Sequence, residues 1–191
     1  MAINTVSKEF FEEKYRANYD PWKFSSSSYE LTRYAEIIRV LEGRTFDSGF
    51  EPGCSIGVLT ERLADRCRRL LAMDISPTAV AVARQRCAGF PNVAIVEGSL
   101  PDDLPVCSFD LIVFSEIGYY FERGVLTRIR DLLIEHLAPE GALIGAHWLG
   151  VSADHLLGGD DVHDVLRSSS ALRLTASRRY DGFLLESWER T

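Results

Sequence analysis

Thr45-Phe46-Asp47-Ser48-Gly49-Phe50-Glu51-Pro52-Gly53-Cys54-Ser55-Ile56-Gly57, followed by the helical pattern of Val58 to Cys67, decides the reading of this chain. An extended run ends in a carboxylate, turns through Pro52 and two glycines, and opens a helix. Gly53 and Gly57 lack a Cβ, so the chain can turn tightly and a ligand can lie against bare amides at a helix N-terminus. Glu51 ends the strand where open α/β sheets bind their ligands, and its carboxylate suits an ammonium group or a ribose hydroxyl.

Two familiar phosphate loops are excluded. A dinucleotide loop reads G-x-G-x-x-G, a P-loop ends in Gly-Lys-Ser/Thr, and neither occurs at this turn. A carboxylate at the mouth would also repel phosphate.

Downstream, Leu70 to Met73 is a short apolar run ending in Asp74, the pattern of a parallel strand buried on both faces. Asp74 follows the glycine loop at the distance where nucleotide folds hold a ribose diol. A helix-capping role is the alternative, but Ser76-Pro77 already supplies a cap and a first-turn proline. A helix over Pro77 to Cys87 shows Val80, Ala83 and Cys87 on one face. Val93 to Glu97 reads as the third strand, Phe109 to Ser115 as the fourth, and Ala142 to Trp148 as the fifth. Between the last two, Arg123 to Leu137 has helical spacing and stops before Pro139-Glu140-Gly141. Ala171 to Tyr180 and Phe183 to Trp188 flank Asp181-Gly182, a hairpin signature.

Glu51-Pro52-Gly53-Cys54-Ser55-Ile56-Gly57 resembles the E/D-x-G-x-x-x-G first motif of class I S-adenosylmethionine (SAM) methyltransferases. Asp20-Pro21-Trp22, Phe109-Asp110-Leu111-Ile112 before Ser115-Glu116, and Leu137-Ala138-Pro139-Glu140-Gly141-Ala142-Leu143 follow in order and resemble the nodulation protein S branch. The resemblance implies an α/β, Rossmann-like doubly wound sheet, mostly parallel, with one antiparallel strand in the C-terminal hairpin. It implies one domain over 1–191, with N-terminal helices and a lid in 1–42 and the core in 43–191. It also implies SAM as cofactor, S-adenosylhomocysteine (SAH) as product, and a small amine or amino sugar as acceptor, with a hydroxyl as the other choice.

The expected cofactor contacts are Trp22, Arg33, Glu51, Gly53, Cys54, Gly57, Asp74, Ile75, Ser99, Leu100 and Ser115. At Ser99 the sequence departs from the family, which usually has an aspartate on the adenine amine. Trp22 lies in an aromatic loop, Asn18 to Phe24, that reads either as a lid over the cofactor or as an arm packed on the domain. Arg33 reads as a partner for the methionyl carboxylate or as a surface cation, and Tyr29 as a hydroxyl donor or a packing ring.

The expected acceptor side is Glu116, Tyr119, Tyr120, His147, Trp148 and His163, with core packing as the other reading of the two tyrosines. His147 is the general-base candidate, because imidazole titrates near neutrality and the fifth strand should deliver it to the sheet edge; a histidine bonded to backbone is the alternative. Asp160 is expected to cap a helix over Asp161 to Leu166, with His163 facing the site or solvent. The Asp154–His163 segment carries ligand types but no metal-site spacing, so no metal is expected.

Composition bounds the rest. With 21 basic and 28 acidic residues the net charge is -7, which argues against a nucleic-acid footprint. The cluster Arg62, Arg66, Arg68 and Arg69 reads as a solvated face. Cys54, Cys67, Cys87 and Cys107 form no C-x-x-C pair and read as buried thiols in a reducing, cytoplasmic setting. No run is long and apolar enough to cross a bilayer. A nicotinamide-dependent oxidoreductase and a SAM-binding protein without catalysis remain as other classes.

Overall fold

A computed structural model describes residues 5–191. Helix α1, Lys8–Ala17, starts where Ser7 accepts the Phe10 N–H and α2 spans Ser28–Val40. The strands are β1 (Gly49–Pro52), β2 (Leu70–Asp74), β3 (Val93–Glu97), β4 (Phe109–Ser115), β5 (Leu137–Trp148), β6 (Leu172–Arg179) and β7 (Phe183–Arg190). Between them lie α3 (Val58–Leu63), α4 (Pro77–Arg86), α5 (Arg123–His136) and α6 (Gly159–Arg167).

The residues form two compact units, Ser7–Leu104 and a second from Pro105 to Thr191 that takes in Thr5 and Val6. In the first, the strand order is β3-β2-β1, all parallel. Its core is apolar: Phe50, Ala72 and Met73 are buried, and Val80 and Ala83 of α4, with Cys87 just after it, close over Ala72 and Ile95. Ser76 caps α4 by accepting the Ala79 N–H, with Pro77 at the first helical position.

The second unit has the order β4-β5-β7-β6. β4 and β5 are parallel, and β7 is antiparallel to both β5 and β6. The Asp181-Gly182 turn is closed by the Tyr180 N–H on the Phe183 carbonyl at 2.9 Å. An α/β fold with mostly parallel strands and one antiparallel strand is therefore realised, as expected.

Several boundaries differ from the sequence reading. β1 is short because the chain bends at Asp47-Ser48, leaving Phe46 in an isolated bridge to Cys67. Helix α3 ends at Leu63, and Ala64–Arg66 is a 3-10 turn that carries Cys67 into that bridge. β5 begins at Leu137 rather than Ala142. Phe109 pairs with Leu137 and Leu111 with Ala142, so Pro139-Glu140-Gly141 bulges from the strand, with Glu140 at φ 61°. Of the four cysteines only Cys107 is exposed, because it follows a surface turn rather than an apolar face. Among the described residues no helix is long and apolar enough to cross a membrane.

Candidate active site

In the first unit the parallel register brings Glu51, Asp74 and Glu97 toward the carboxyl ends of adjacent strands. Glu51 is 4% exposed, and its Oε2 has no hydrogen-bond partner among the described residues. Burial pushes its carboxyl up to about 8; the neighbouring Thr60 hydroxyl opposes the rise and the Asp74 charge adds to it. A cation brought beside the unpartnered Oε2 would restore the ionised form.

Asp74 anchors the glycine loop. Its Oδ2 accepts the Ser55 N–H at 2.8 Å and its Oδ1 the Ser76 N–H at 2.9 Å. Burial raises its carboxyl to about 6 against the pull of these amides, with Glu12 adding to the rise. The loop is strained where it is held: Ser55 sits at φ 51°, outside the range most side chains favour. Gly53 and Gly57 take φ 75° and 79°. A Cβ on Gly57 would also lie 3.2 Å from the Ala83 Cα, so a side chain here would press on α4 as well as strain the backbone. The Gly53 and Cys54 N–H groups both donate to the Met73 carbonyl, which spends them on the fold. Cys54 is buried, and burial pushes its thiol well up.

Two further groups complete this unit's site. Glu12 is buried and accepts the Ser76 hydroxyl at 2.6 Å, the Thr78 hydroxyl at 2.7 Å and the Thr78 N–H at 3.2 Å. Burial works to raise its carboxyl, and these donors together with Arg16 outweigh it and hold it at about 2. Tyr15 donates its hydroxyl to Ser55 Oγ at 2.5 Å. Helix α1 is thus tied to both the cap of α4 and the glycine loop. Nothing in the local pattern of Glu12 distinguishes it from Glu9 or Glu13; the long-range partners do.

Trp22 packs on Tyr15 with ring centroids 5.5 Å apart and stacks on Phe24 at 5.6 Å. Asp20, which is buried, fixes this loop by accepting the Phe24 N–H at 2.7 Å and the Ser25 N–H and hydroxyl at 3.0 and 2.6 Å. Arg33 is not a surface cation: it is 1% exposed, ion-paired with Glu30 one turn away, and flanked by the rings of Tyr29 and Tyr34. Ile75 is half-buried and Leu100 buried. At the departure from the family pattern, Ser99 donates its N–H to Asp103 Oδ2 at 2.9 Å, so a carboxylate does reach this turn, from four residues on.

The second unit gathers the other expected residues. Ser115, buried at the end of β4, donates its hydroxyl to the Ala146 carbonyl at 3.2 Å. Glu116 sits at φ 61° and accepts the Tyr119 hydroxyl at 2.9 Å and the Trp148 N–H at 2.6 Å. The Glu116 carboxylate therefore clamps the ends of β4 and β5. Tyr119 is buried, and Tyr120 and Trp148 are half-buried. Burial pushes the Tyr120 phenol up, with Glu116 and Asp154 adding to the shift.

His147 and His163 are fully buried. His147 Nε2 accepts the Gly118 N–H at 3.2 Å, and its Nδ1 faces His163 Nε2 at 3.3 Å. His163 Nδ1 faces Glu186 Oε2 at 2.8 Å. Burial works to raise the Glu186 carboxyl, but hydrogen bonds from His163, Arg167 and Ser177 hold it at about 2. An ionised Glu186 fixes the proton on His163 Nδ1, which leaves His163 Nε2 to accept from His147 Nδ1–H. The basic lone pair of His147 then points at a backbone N–H in the core, the backbone-bonded alternative for this residue. His163 faces neither a ligand site nor solvent, because the amphipathic α6 turns it inward onto β7. Asp160 does not cap that helix; α6 starts after Gly158, whose N–H donates to Asp161 Oδ2 at 3.0 Å, and Asp160 pairs with Arg179. Among the described residues no cluster of three or more ligand side chains could hold a metal ion.

The family model for nodulation protein S (NodS) matches residues 5–183. Nodulation protein S of Bradyrhizobium diazoefficiens is 36% identical over 129 residues, 65% of this chain and 61% of that protein. The Azorhizobium caulinodans protein of the same name is 31% identical over 170 residues, 86% of this chain and 81% of that one. The matches to nodulation protein S of Sinorhizobium fredii, Bradyrhizobium diazoefficiens and Rhizobium tropici span only 59%, 61% and 53% of those proteins' lengths. The crystal structure of the N-methyltransferase NodS from Bradyrhizobium japonicum WM9, solved with SAH, superposes with a TM-score of 0.85 at 26% identity, covering 97% of this chain and 99% of that one. On this evidence the chain belongs to the nodulation protein S family of class I SAM methyltransferases.

Proposed function

We propose that this chain binds SAM in the Ser7–Leu104 unit and transfers its methyl group to a small-molecule amine, an amino sugar first among the candidates. The observation that carries the reading is a buried Glu51 carboxyl whose Oε2 lacks a partner, together with Asp74 on the adjacent parallel strand, at the carboxyl ends behind a glycine loop. Glu51 suits the ammonium of the methionyl moiety, and Asp74, already bonded to the loop, retains acceptor capacity for a ribose diol. Arg33 has the charge for the methionyl carboxylate. Gly53, Cys54, Gly57 and Ile75 line the cofactor's path, Ser99 and Leu100 flank the base and Trp22 covers it. The cofactor supplies an activated sulfonium methyl, so the chain's own work is to hold an acceptor on axis, exclude water and receive one proton.

The acceptor side falls to Glu116, Tyr119, Tyr120 and Trp148, with His147 and His163 shaping the site from within the core. An amine acceptor is supported by the NodS crystal structure described as an N-methyltransferase and by aromatic faces beside a carboxylate, a setting that favours cations. The net charge of -7 favours a small acceptor over nucleic acid.

Isothermal titration with SAH and with NADH, on the wild type and on Asp74→Asn and Asp74→Ala, tests the cofactor. Micromolar binding of SAH alone, weakened tenfold or more by both substitutions, is expected, since a charged hydrogen bond contributes about 1.5–3 kcal/mol. Preference for NADH would overturn the assignment. Methyl transfer to a glucosamine tetramer but not to its N-acetylated counterpart is then expected; SAH binding with no transfer to amine or hydroxyl probes would leave a binding protein without catalysis.

A further inference from the structure

The chain has four histidines, and three are engaged through ring nitrogens: His147 with Gly118 and His163, His163 with Glu186, and His136 with the Leu132 carbonyl at 2.9 Å. His155 is the exception. Its Nδ1 is enclosed by protein and has no hydrogen-bond partner among the described residues. A ring nitrogen left in that condition is uncommon and calls for a reason.

The surroundings of His155 are built, not incidental. The segment after β5 is tied down by the Leu149 N–H on the Gly182 carbonyl at 2.9 Å, and by the Leu156 and Leu157 N–H groups on the Tyr119 carbonyl at 2.8 and 3.2 Å. Held so, the imidazole lies flat on the Tyr119 ring, with centroids 3.7 Å apart and planes 16° from parallel. Tyr120 and Trp148 present edges to it at 5.2 and 5.8 Å. The half-buried ring leaves Nε2 as the nitrogen through which a proton can pass.

We propose that His155 is the general base for the acceptor, taking up the amine proton at Nε2 within the Tyr119–Tyr120–Trp148 cluster. This rests on the methyltransferase reading. The acceptor nitrogen forms its bond to the methyl carbon as the carbon–sulfur bond breaks, with that electron pair staying on sulfur. The acceptor enters as an ammonium, and before that displacement it passes one proton to His155 Nε2, giving an imidazolium that solvent discharges and freeing the lone pair that attacks. The role expected of His147 passes to a residue whose nitrogen is not committed to the core. The titratable and charged groups around the ring are Asp154, the Tyr119 and Tyr120 phenols, and the Glu116 carboxylate that Tyr119 bonds. Burial lowers the His155 pKa and Asp154 opposes the shift, so the ring is neutral and ready to accept at neutral pH.

The test is single-turnover methyl transfer from SAM to the glucosamine tetramer between pH 5 and 9, on the wild type and on His155→Phe, with SAH titration in parallel. His155→Phe keeps an aromatic ring on Tyr119 and removes both nitrogens. Expected are SAH affinity within about twofold of wild type, a rate lowered about 10²–10⁴-fold, and loss of a rate limb whose midpoint lies below the ordinary histidine value. That midpoint should coincide with the His155 titration followed by NMR. A His155→Phe rate within threefold of wild type and an unchanged pH profile would overturn the base role alone. Wild-type protein that binds SAH yet methylates no amine would overturn the acceptor reading and this role with it.

Discussion

Asp74 Oδ2 accepts the backbone N–H of Ser55 at 2.8 Å, across 19 residues of sequence. One carboxylate thereby sets the conformation of the glycine loop and stands at the end of the neighbouring strand. Glu51, one strand over, has no such donors, and burial leaves its carboxyl at about 8 against about 6 for Asp74.

Both carboxyls lie above their ordinary values, so the folded state holds protons that the unfolded chain has released. Stability of the ligand-free protein should therefore fall as pH rises from about 4.5 through 8, the window between the ordinary Glu51 value and its folded one. Glu51→Gln removes its share, on the order of 4 kcal/mol by pH 8. Urea titrations at pH 5, 6.5 and 8 check this, and an identical slope in wild type and Glu51→Gln would refute it.

Glu186 behaves in the opposite sense. Its folded value of about 2 lies below the ordinary 4.5, so its contribution is present above pH 4.5 and is lost as pH falls toward 2. Glu186→Ala at pH 7 strands His163 and loosens Arg167, and should cost about 3 kcal/mol. Chemical denaturation of Glu186→Ala beside His163→Phe/Glu186→Leu would settle it: the double variant should recover a large part of the loss.

Gly118 admits no side chain. A Cβ there would lie 2.4 Å from Val162 Cγ1 and 2.9 Å from His147 Nε2. Gly118→Ala should destabilise the protein by about 1–3 kcal/mol, with near-ultraviolet circular dichroism reporting the repacking of Tyr119. Unchanged unfolding would mean that α6 shifts freely.

Glu12→Ala removes the acceptor for Ser76 and Thr78. A loss of about 1–3 kcal/mol is expected, together with weaker SAH binding, since the Ser76 N–H also donates to Asp74. Equal SAH affinity in Glu12→Ala and wild type would separate α1 from the cofactor site.

Much of the fold was legible in the chain. β2 and β4 match the apolar runs, because a strand covered on both faces must be apolar throughout. The Asp181-Gly182 turn and the Ser76-Pro77 helix start are set by residues whose backbone preferences are local. Strand β5 was less legible: Pro139-Glu140-Gly141 looks like a terminator by itself, and only pairing with β4 shows that the strand runs through it as a bulge.

The site divides along the same line. Glu51, Gly53 and Gly57 are candidates from one consecutive motif, and Asp74 from its place at the end of the next apolar run. Glu12, Glu186 and His155 could not be named so, since their roles depend on partners tens of residues away or, for His155, on having none for its Nδ1. The sequence by itself determined the α/β order of elements, the glycine loop and its two carboxylates. The tertiary structure decided which histidine is sealed in the core and which keeps a nitrogen available. Identical imidazoles differ only in burial and hydrogen-bond partners, and those are assigned when distant strands and helices pack.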